Sequence, residues 1–115
     1  MRSFQATGIA CAALLLAACS SIDGGPAVRP GMPTGTLTVV NGTSGYLDAV
    51  VFSECDAFTY GFNRLSKGDA IPPGEARSFT VTAGCWDVGG GKYAGGEAYQ
   101  RVAVPAGGIF ELTLY

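Results

Sequence analysis

The 115-residue chain contains no histidine. That removes the usual general base at neutral pH, and with it the Ser-His-Asp and Cys-His arrangements of nucleophilic catalysis. No imidazole is present to complete a zinc site, and no Cys-x-x-Cys pair occurs. Charge is scarce as well: 14% of residues are charged, seven basic against nine acidic. A nucleic-acid binder shows a basic footprint, which this balance excludes, and no run of like charge marks a partner surface. Gly91-Lys92 fails as a phosphate loop, because the Walker pattern needs Gly where Trp86 stands and Ser or Thr where Tyr93 stands. Glycoside hydrolysis needs two carboxylates facing one another in a cleft, and a domain this small seldom has one. No catalytic residue, metal or cofactor is therefore expected, and the chain reads as a non-enzyme.

Long apolar runs are also missing. The one apolar stretch, residues 8–18, would make about 16 Å of helix, against roughly 30 Å of hydrocarbon in a bilayer. It is too short to span, and with Arg2 ahead of it reads as an export signal. Its last residues, Leu16-Ala17-Ala18-Cys19, resemble the bacterial lipoprotein box. In such a box the cysteine is acylated and becomes the mature N-terminus. An ordinary signal peptide cut after small residues is the alternative. The resemblance implies a signal peptide over 1–18, a palmitate-type lipid on Cys19 and the membrane as a partner. Ser20, in place of the Asp that retains lipoproteins at the inner membrane, resembles the outer-membrane address. The implied location is the cell envelope, lipid-anchored to the outer membrane and facing the periplasm. Without Arg2, six basic residues face nine acidic ones.

With Cys11 lost in the signal and Cys19 lipidated, Cys55 and Cys85 remain as a pair. In an oxidising compartment such a pair is most simply a disulfide. Closing that loop would stabilise the fold by roughly 3–4 kcal/mol. Residues 19–34 then read as the lipidated cysteine and a flexible linker, punctuated by Gly24, Gly25, Pro26, Pro30, Gly31 and Pro33.

From residue 35 to 115 the pattern is alternation, predicting a single domain. Residues 36–40 form a strand with Leu37 and Val39 on one face. Asn41-Gly42 reads as a turn into a second strand over 46–53, so that the two make a hairpin. Phe58, Tyr60 and Phe62 alternate in a short strand or aromatic loop. Residues 77–82 carry Phe79 and Val81 inward. Residues 85–88 start another strand with Trp86 and Val88 on one face. Gly89-Gly90-Gly91 and Gly95-Gly96 bracket Lys92-Tyr93-Ala94 as a loop. Strands over 97–104 and 109–115 complete the set, the last burying Phe110, Leu112 and Leu114. Six or seven short antiparallel strands with frequent turns predict an all-β fold. A small β-sandwich, immunoglobulin-like or transthyretin-like, is expected, with a small closed β-barrel as the alternative. The disulfide would join the end of the second strand to the strand starting at Cys85, and could run across the two sheets.

Several motifs recur in a familiar order: Asn41-Gly42-Thr43 before a strand, Ser53 at its end, Tyr60-Gly61-Phe62-Asn63-Arg64-Leu65, Ile71-Pro72-Pro73-Gly74, and Cys85-Trp86-Asp87-Val88. This order resembles a group of small exported proteobacterial β-sandwich proteins of unknown function. Their pattern is similar to an aromatic-Gly-x-Asp/Asn-x-Leu loop followed by Cys-x-Asp-hydrophobic. The chain departs from it in lacking a cysteine near the C-terminal strand, where Cys55 could replace the missing partner. The resemblance implies no activity. It mildly favours Asp87 as an acceptor of backbone N–H bonds that pins its corner.

Two constellations could bind something. Glu54, Asp56 and Asp87 flank the cysteines and could hold calcium, although solvated loop carboxylates are the simpler reading. Phe58, Tyr60, Phe62, Trp86, Tyr93 and Tyr99 either fill the core or recognise a glycan or protein. Trp86, beside the bridge, reads as core. Tyr60 and Tyr93, in glycine-containing loops, read as the partner-binding residues. The expected function is a non-catalytic interaction or structural module of the envelope, engaging an envelope protein or cell-wall glycan. The alternative is a lipoprotein that binds a small ligand or inhibits a hydrolase.

Overall fold

A computed structural model describes residues 25–57, 61–92 and 97–115. The described residues form six strands: β1 (Thr34–Asn41), β2 (Ala49–Glu54), β3 (Ala76–Thr82), β4 (Gly84–Gly91), β5 (Glu97–Val104) and β6 (Ile109–Leu114). They make two three-stranded sheets, β3-β1-β6 and β2-β4-β5. The sheets do not close into a barrel, and the fold is all-β, compatible with a small β-sandwich.

Alternation in the sequence becomes the two inner faces. Leu37 and Val39 of β1 are buried, as are Val81 of β3 and Leu112 and Leu114 of β6. Opposite them lie Val50 and Phe52 of β2, Trp86 and Val88 of β4, and Val102 and Val104 of β5. Phe52 is the aromatic centre. Its ring packs edge-on against Phe79 of the other sheet, 5.2 Å between centres, and against Trp86 beside it, 5.6 Å. Such edge-to-face pairs add about 0.5–1.5 kcal/mol beyond the area they bury. The Arg64 guanidinium stacks over the same ring at 4.6 Å.

Five expectations are corrected. The first two strands are not a hairpin: β1 and β2 belong to different sheets. Asn41 does not take the positive φ of a turn, since no non-glycine residue described does. It is the last residue of β1 and is buried. Pairing is not wholly antiparallel either, because β1 lies parallel to β6, Leu37 opposite Phe110 and Asn41 opposite Leu114. The disulfide forms, but within one sheet. β2 and β4 are antiparallel neighbours with Glu54 opposite Trp86, which leaves Cys55 facing Cys85 with their Cα atoms 5.5 Å apart.

The fifth correction concerns the glycine run. Gly89-Gly90-Gly91 does not bracket a loop but continues β4. A Cβ on Gly90 would meet Leu114 across the sandwich, and one on Gly89 would meet the Tyr99 ring on the outer face. The run therefore serves close packing on both faces of one strand. Gly35 is the tightest such position, since a Cβ there would run into the Pro105 carbonyl oxygen and Val104. Backbone cannot swing aside as a side chain can. Gly35→Ala should therefore cost about 1–3 kcal/mol, as overpacking does. Gly89→Ala, which displaces chiefly the half-exposed Tyr99 ring, should cost less. Urea unfolding of both variants checks the order.

Candidate functional site

The Asn41 carboxamide organises one end of the sandwich. Its Nδ2 donates to the carbonyls of Gly45 (2.7 Å) and Ile71 (2.8 Å). Its Oδ1 accepts from the Thr43 backbone N–H (2.9 Å) and the Thr43 hydroxyl (2.6 Å). The backbone is used too: Asn41 N–H donates to Glu75, and Gly74 N–H donates to Asn41. One buried side chain thus ties β1, the 42–45 loop and the 71–75 turn together. Leu47 and Ile71 exchange two backbone bonds just below it.

That loop forms one wall of an open cavity of about 330 Å3. Thr43 and Ser44 come from the loop, and Leu47, Gly90, Ala98 and Leu114 from the inner faces. Lys92, Glu97 and Tyr115 complete it, at the ends of β4, β5 and β6. The Lys92 side chain lies along Gly45. Glu97 accepts a hydrogen bond from the Tyr99 hydroxyl (2.6 Å). Among the described residues Lys92 and Glu97 make no ion pair. Glu97 shares the outer face of β5 with Tyr99, so the Lys92 ammonium is the charge that lies with the apolar side chains at the opening.

The other end carries the disulfide and most of the charge pairing. Arg101 holds Asp87 through two bonds, 2.8 and 3.0 Å, directly across the β4–β5 ladder. Asp87 therefore binds a guanidinium and not the backbone N–H groups expected of it, and Arg101 holds its carboxyl below the usual range. Arg29 pairs with Glu54. Trp86 is buried and donates its indole N–H to the Thr82 carbonyl (2.7 Å). Residues 25–33 pack here as well: Thr82 N–H donates to Ala27, and Ala83 N–H to Pro33. Arg64 reaches the Gly25 carbonyl (2.8 Å).

No protein-family model matches the chain, and no curated protein matches it. Its residues are left to speak for the site.

Cys19, Tyr60 and Tyr93 lie outside the described residues, as do Phe58 and Cys11. Cys55 and Cys85 are bonded to each other. Of the remaining aromatics, Phe62 is 70% exposed and Tyr99 51%. Glu54, Asp56 and Asp87 do not form a metal-binding group, and no such group occurs among the described residues. The register explains this: Ser53 pairs with Asp87 and Glu54 with Trp86, so Glu54 and Asp87 point to opposite faces. The Asn63 of the aromatic-Gly-x-Asn-x-Leu motif has a structural task. Its Oδ1 accepts from the Val50 and Leu65 N–H groups, and its Nδ2 donates to Asp48, sealing the outer edge of β2.

Sequence reasoning missed the Asn41 hub, the Asp87–Arg101 pair and the cavity. Arg101 had a findable signal. Counting outward from a 92–96 loop in a β4–β5 hairpin pairs Asp87 with Arg101 directly. The Asn41 hub and the cavity depend on partners from distant segments and had none.

Two outcomes are expected. Asn41→Leu keeps the volume but leaves the Thr43 N–H without its acceptor and takes one of two donors from each of the Gly45 and Ile71 carbonyls, and should cost about 1–3 kcal/mol in urea unfolding. Asn41→Asp should also destabilise at neutral pH, because a carboxylate oxygen would face two carbonyls, and should recover as pH is lowered. Asp69 is held below the usual carboxyl range by its hydrogen bonds from Arg77, as Asp87 is by Arg101. Both carboxyls thus have depressed folded-state pKa values. Their contribution is present at neutral pH and lost as pH falls through the ordinary Asp value of about 3.9 toward the folded ones. Arg101→Gln should raise the pH midpoint of acid unfolding slightly, and salt should shrink the difference.

Proposed function

We propose that this chain is a non-catalytic binding module of the cell envelope, held at a membrane by a lipid on Cys19. The pairing of its charges carries the reading. Glu54, Asp69 and Asp87, which could otherwise act as acids or bases, are each committed to an arginine that ties strands and turns together. Among the described residues four aromatic side chains stay outward: Tyr46, Phe62, Tyr99 and Tyr115. Aromatic side chains of this kind anchor partners in binding surfaces. Tyr60 stands two residues before Phe62 in the chain, and Tyr93 follows Lys92; both are the proposed partner contacts. The packing of residues 25–33 at the disulfide end supports an orientation in which the tether leaves at that end and the opposite end points away from the membrane. An outer-membrane address facing the periplasm fits the Ser20 after Cys19. The partner is an envelope protein or a cell-wall glycan. A second reading, small-ligand binding, is favoured by the cavity.

In-cell crosslinking of the full chain, followed by capture and mass spectrometry, tests the module. The expected result is an acyl mass on Cys19 and a stoichiometric envelope partner. Tyr60→Ala with Tyr93→Ala should lose most of the capture at an unchanged unfolding midpoint. An unmodified Cys19 overturns the tether, and undiminished capture by the double variant overturns the choice of contacts.

A further inference from the structure

Among the described residues four strands form the edges of the two sheets, and three of them are protected. β2 is sealed by its neighbouring loop: the Val50 N–H donates to Asn63 Oδ1, and the Val50 carbonyl accepts from the Arg64 N–H. β3 is met at Thr82 by Ala27 and carries the Arg77–Asp69 pair. β5 bears charges of both signs, Glu97 and Arg101. β6 has none of these devices. Ile109–Leu114 includes no proline, no basic residue and a single charge, Glu111. A bare edge of this kind is a template for another strand.

The bonds to β1 fix which backbone groups lie on that edge. Thr36 N–H donates to the Gly108 carbonyl and Gly42 N–H to the Leu114 carbonyl, with Thr36 opposite Ile109 in the parallel register. Even-numbered residues of β6 therefore bond to β1, while Ile109, Glu111 and Thr113 turn N–H and C=O outward. None of those six groups has a partner among the described residues. Their side chains share the outer face with Tyr115. Ile109 is 69% exposed and Tyr115 86%.

We propose that β6 pairs antiparallel with β6 of a second copy of this chain, about a two-fold axis at Leu112, joining two three-stranded sheets into one. In this register Ile109 stands opposite the second copy's Tyr115, and Glu111 opposite its Thr113. The odd-numbered residues face one another, so every outward N–H and C=O is bonded at once, and the two most exposed apolar side chains of the strand cover each other. Shifting the register by two residues one way sets Glu111 against Glu111, two like charges directly opposite. Shifting it the other way leaves Ile109 unmatched. A second copy fits better than an unrelated peptide because one strand supplies both halves of the match. The pairing closes at two copies, since β3, the far edge of the sheet, is covered. A contact one strand long, about 20 Å, covers less than the roughly 800 Å2 per partner of a standard interface. The association is therefore reversible and depends on concentration.

Sedimentation equilibrium of the full chain in detergent, over concentrations up to those used for NMR, reads the oligomeric state, and hydrogen exchange reads the edge. A monomer–dimer equilibrium is expected, with the Ile109, Glu111 and Thr113 amides slowing as dimer forms. Thr113→Lys places a cation opposite Glu111 in both symmetry-related pairs and should tighten the dimer about threefold or more; Thr113→Glu should weaken it by a similar factor. A mixture of Ile109→Cys and Tyr115→Cys chains should form a disulfide, because paired residues of this kind have Cα atoms about 5.5 Å apart. Ile109→Cys alone should not, its two copies standing about 20 Å apart. A chain that stays monomeric throughout, a dimer that leaves the three amides fast, or shifts of the same sign from Lys and Glu overturns the proposal. So does protection of these amides by an envelope protein without self-association, which assigns the edge to an extended segment of that protein. Exchange on the unaltered chain holds even if a variant misfolds. The acyl mass on Cys19 is read separately, so failure of the dimer leaves the tethered binding module standing.

Discussion

The Asn41 carboxamide is the interaction on which this architecture depends. A buried amide is costly unless every donor and acceptor is used, and here both donors and the acceptor are engaged. Because its partners come from the 42–45 loop and from Ile71, the side chain converts a local requirement into a long-range one. Hydrophobic burial alone would leave the end of β1 free to slide along its neighbours. The carboxamide has one arrangement that satisfies it, so β1, Leu47 and Ile71 are held in one register. A neutral amide suits this task better than a carboxylate, because it donates to carbonyls and accepts from N–H groups at once.

The two ends of the sandwich consequently differ in character. At the end of β4 that carries Cys85, a covalent bridge, bidentate arginine pairing and the packed 25–33 segment fasten strands together. Each element there is spent on holding structure. At the Asn41 end the carboxamide's hydrogen bonds are interior, and Lys92 reaches along Gly45 with no ion pair among the described residues. Gly90 contributes to that openness, since the absence of a side chain is what lets Leu114 sit beneath the cavity. A closed end and an open end on one small scaffold fit the binding module proposed above.

Legibility in the sequence followed the range of the interactions. Alternation is local, and it placed Leu37, Val39, Val81, Trp86, Val88, Leu112 and Leu114 in the interior, where they are. The isolated cysteine pair marked the bridge. Elsewhere, one residue type permitted two uses. Asn41-Gly42 has the composition of a turn, yet its asparagine is a buried strand residue. Gly89-Gly90-Gly91 has the composition of a loop, yet it is the most closely packed length of β4. In both places local propensity was overridden by what lay across the core. The acidic residues near the cysteines invited a metal reading, which the two-residue alternation of β2 and β4 separates onto opposite faces.

By itself the sequence determined the class of fold, the approximate places of the six strands, the partners in the disulfide and the absence of histidine chemistry. These follow from composition and from periods of two residues, which a single strand carries within itself. Only the tertiary structure decided the sheet order, the parallel pairing of β1 with β6, the Asp87–Arg101 contact across the ladder and the cavity between the 42–45 loop and Leu114. Each of those arises where segments far apart in the chain meet, and a strand's own pattern states which face is buried without stating what it is buried against.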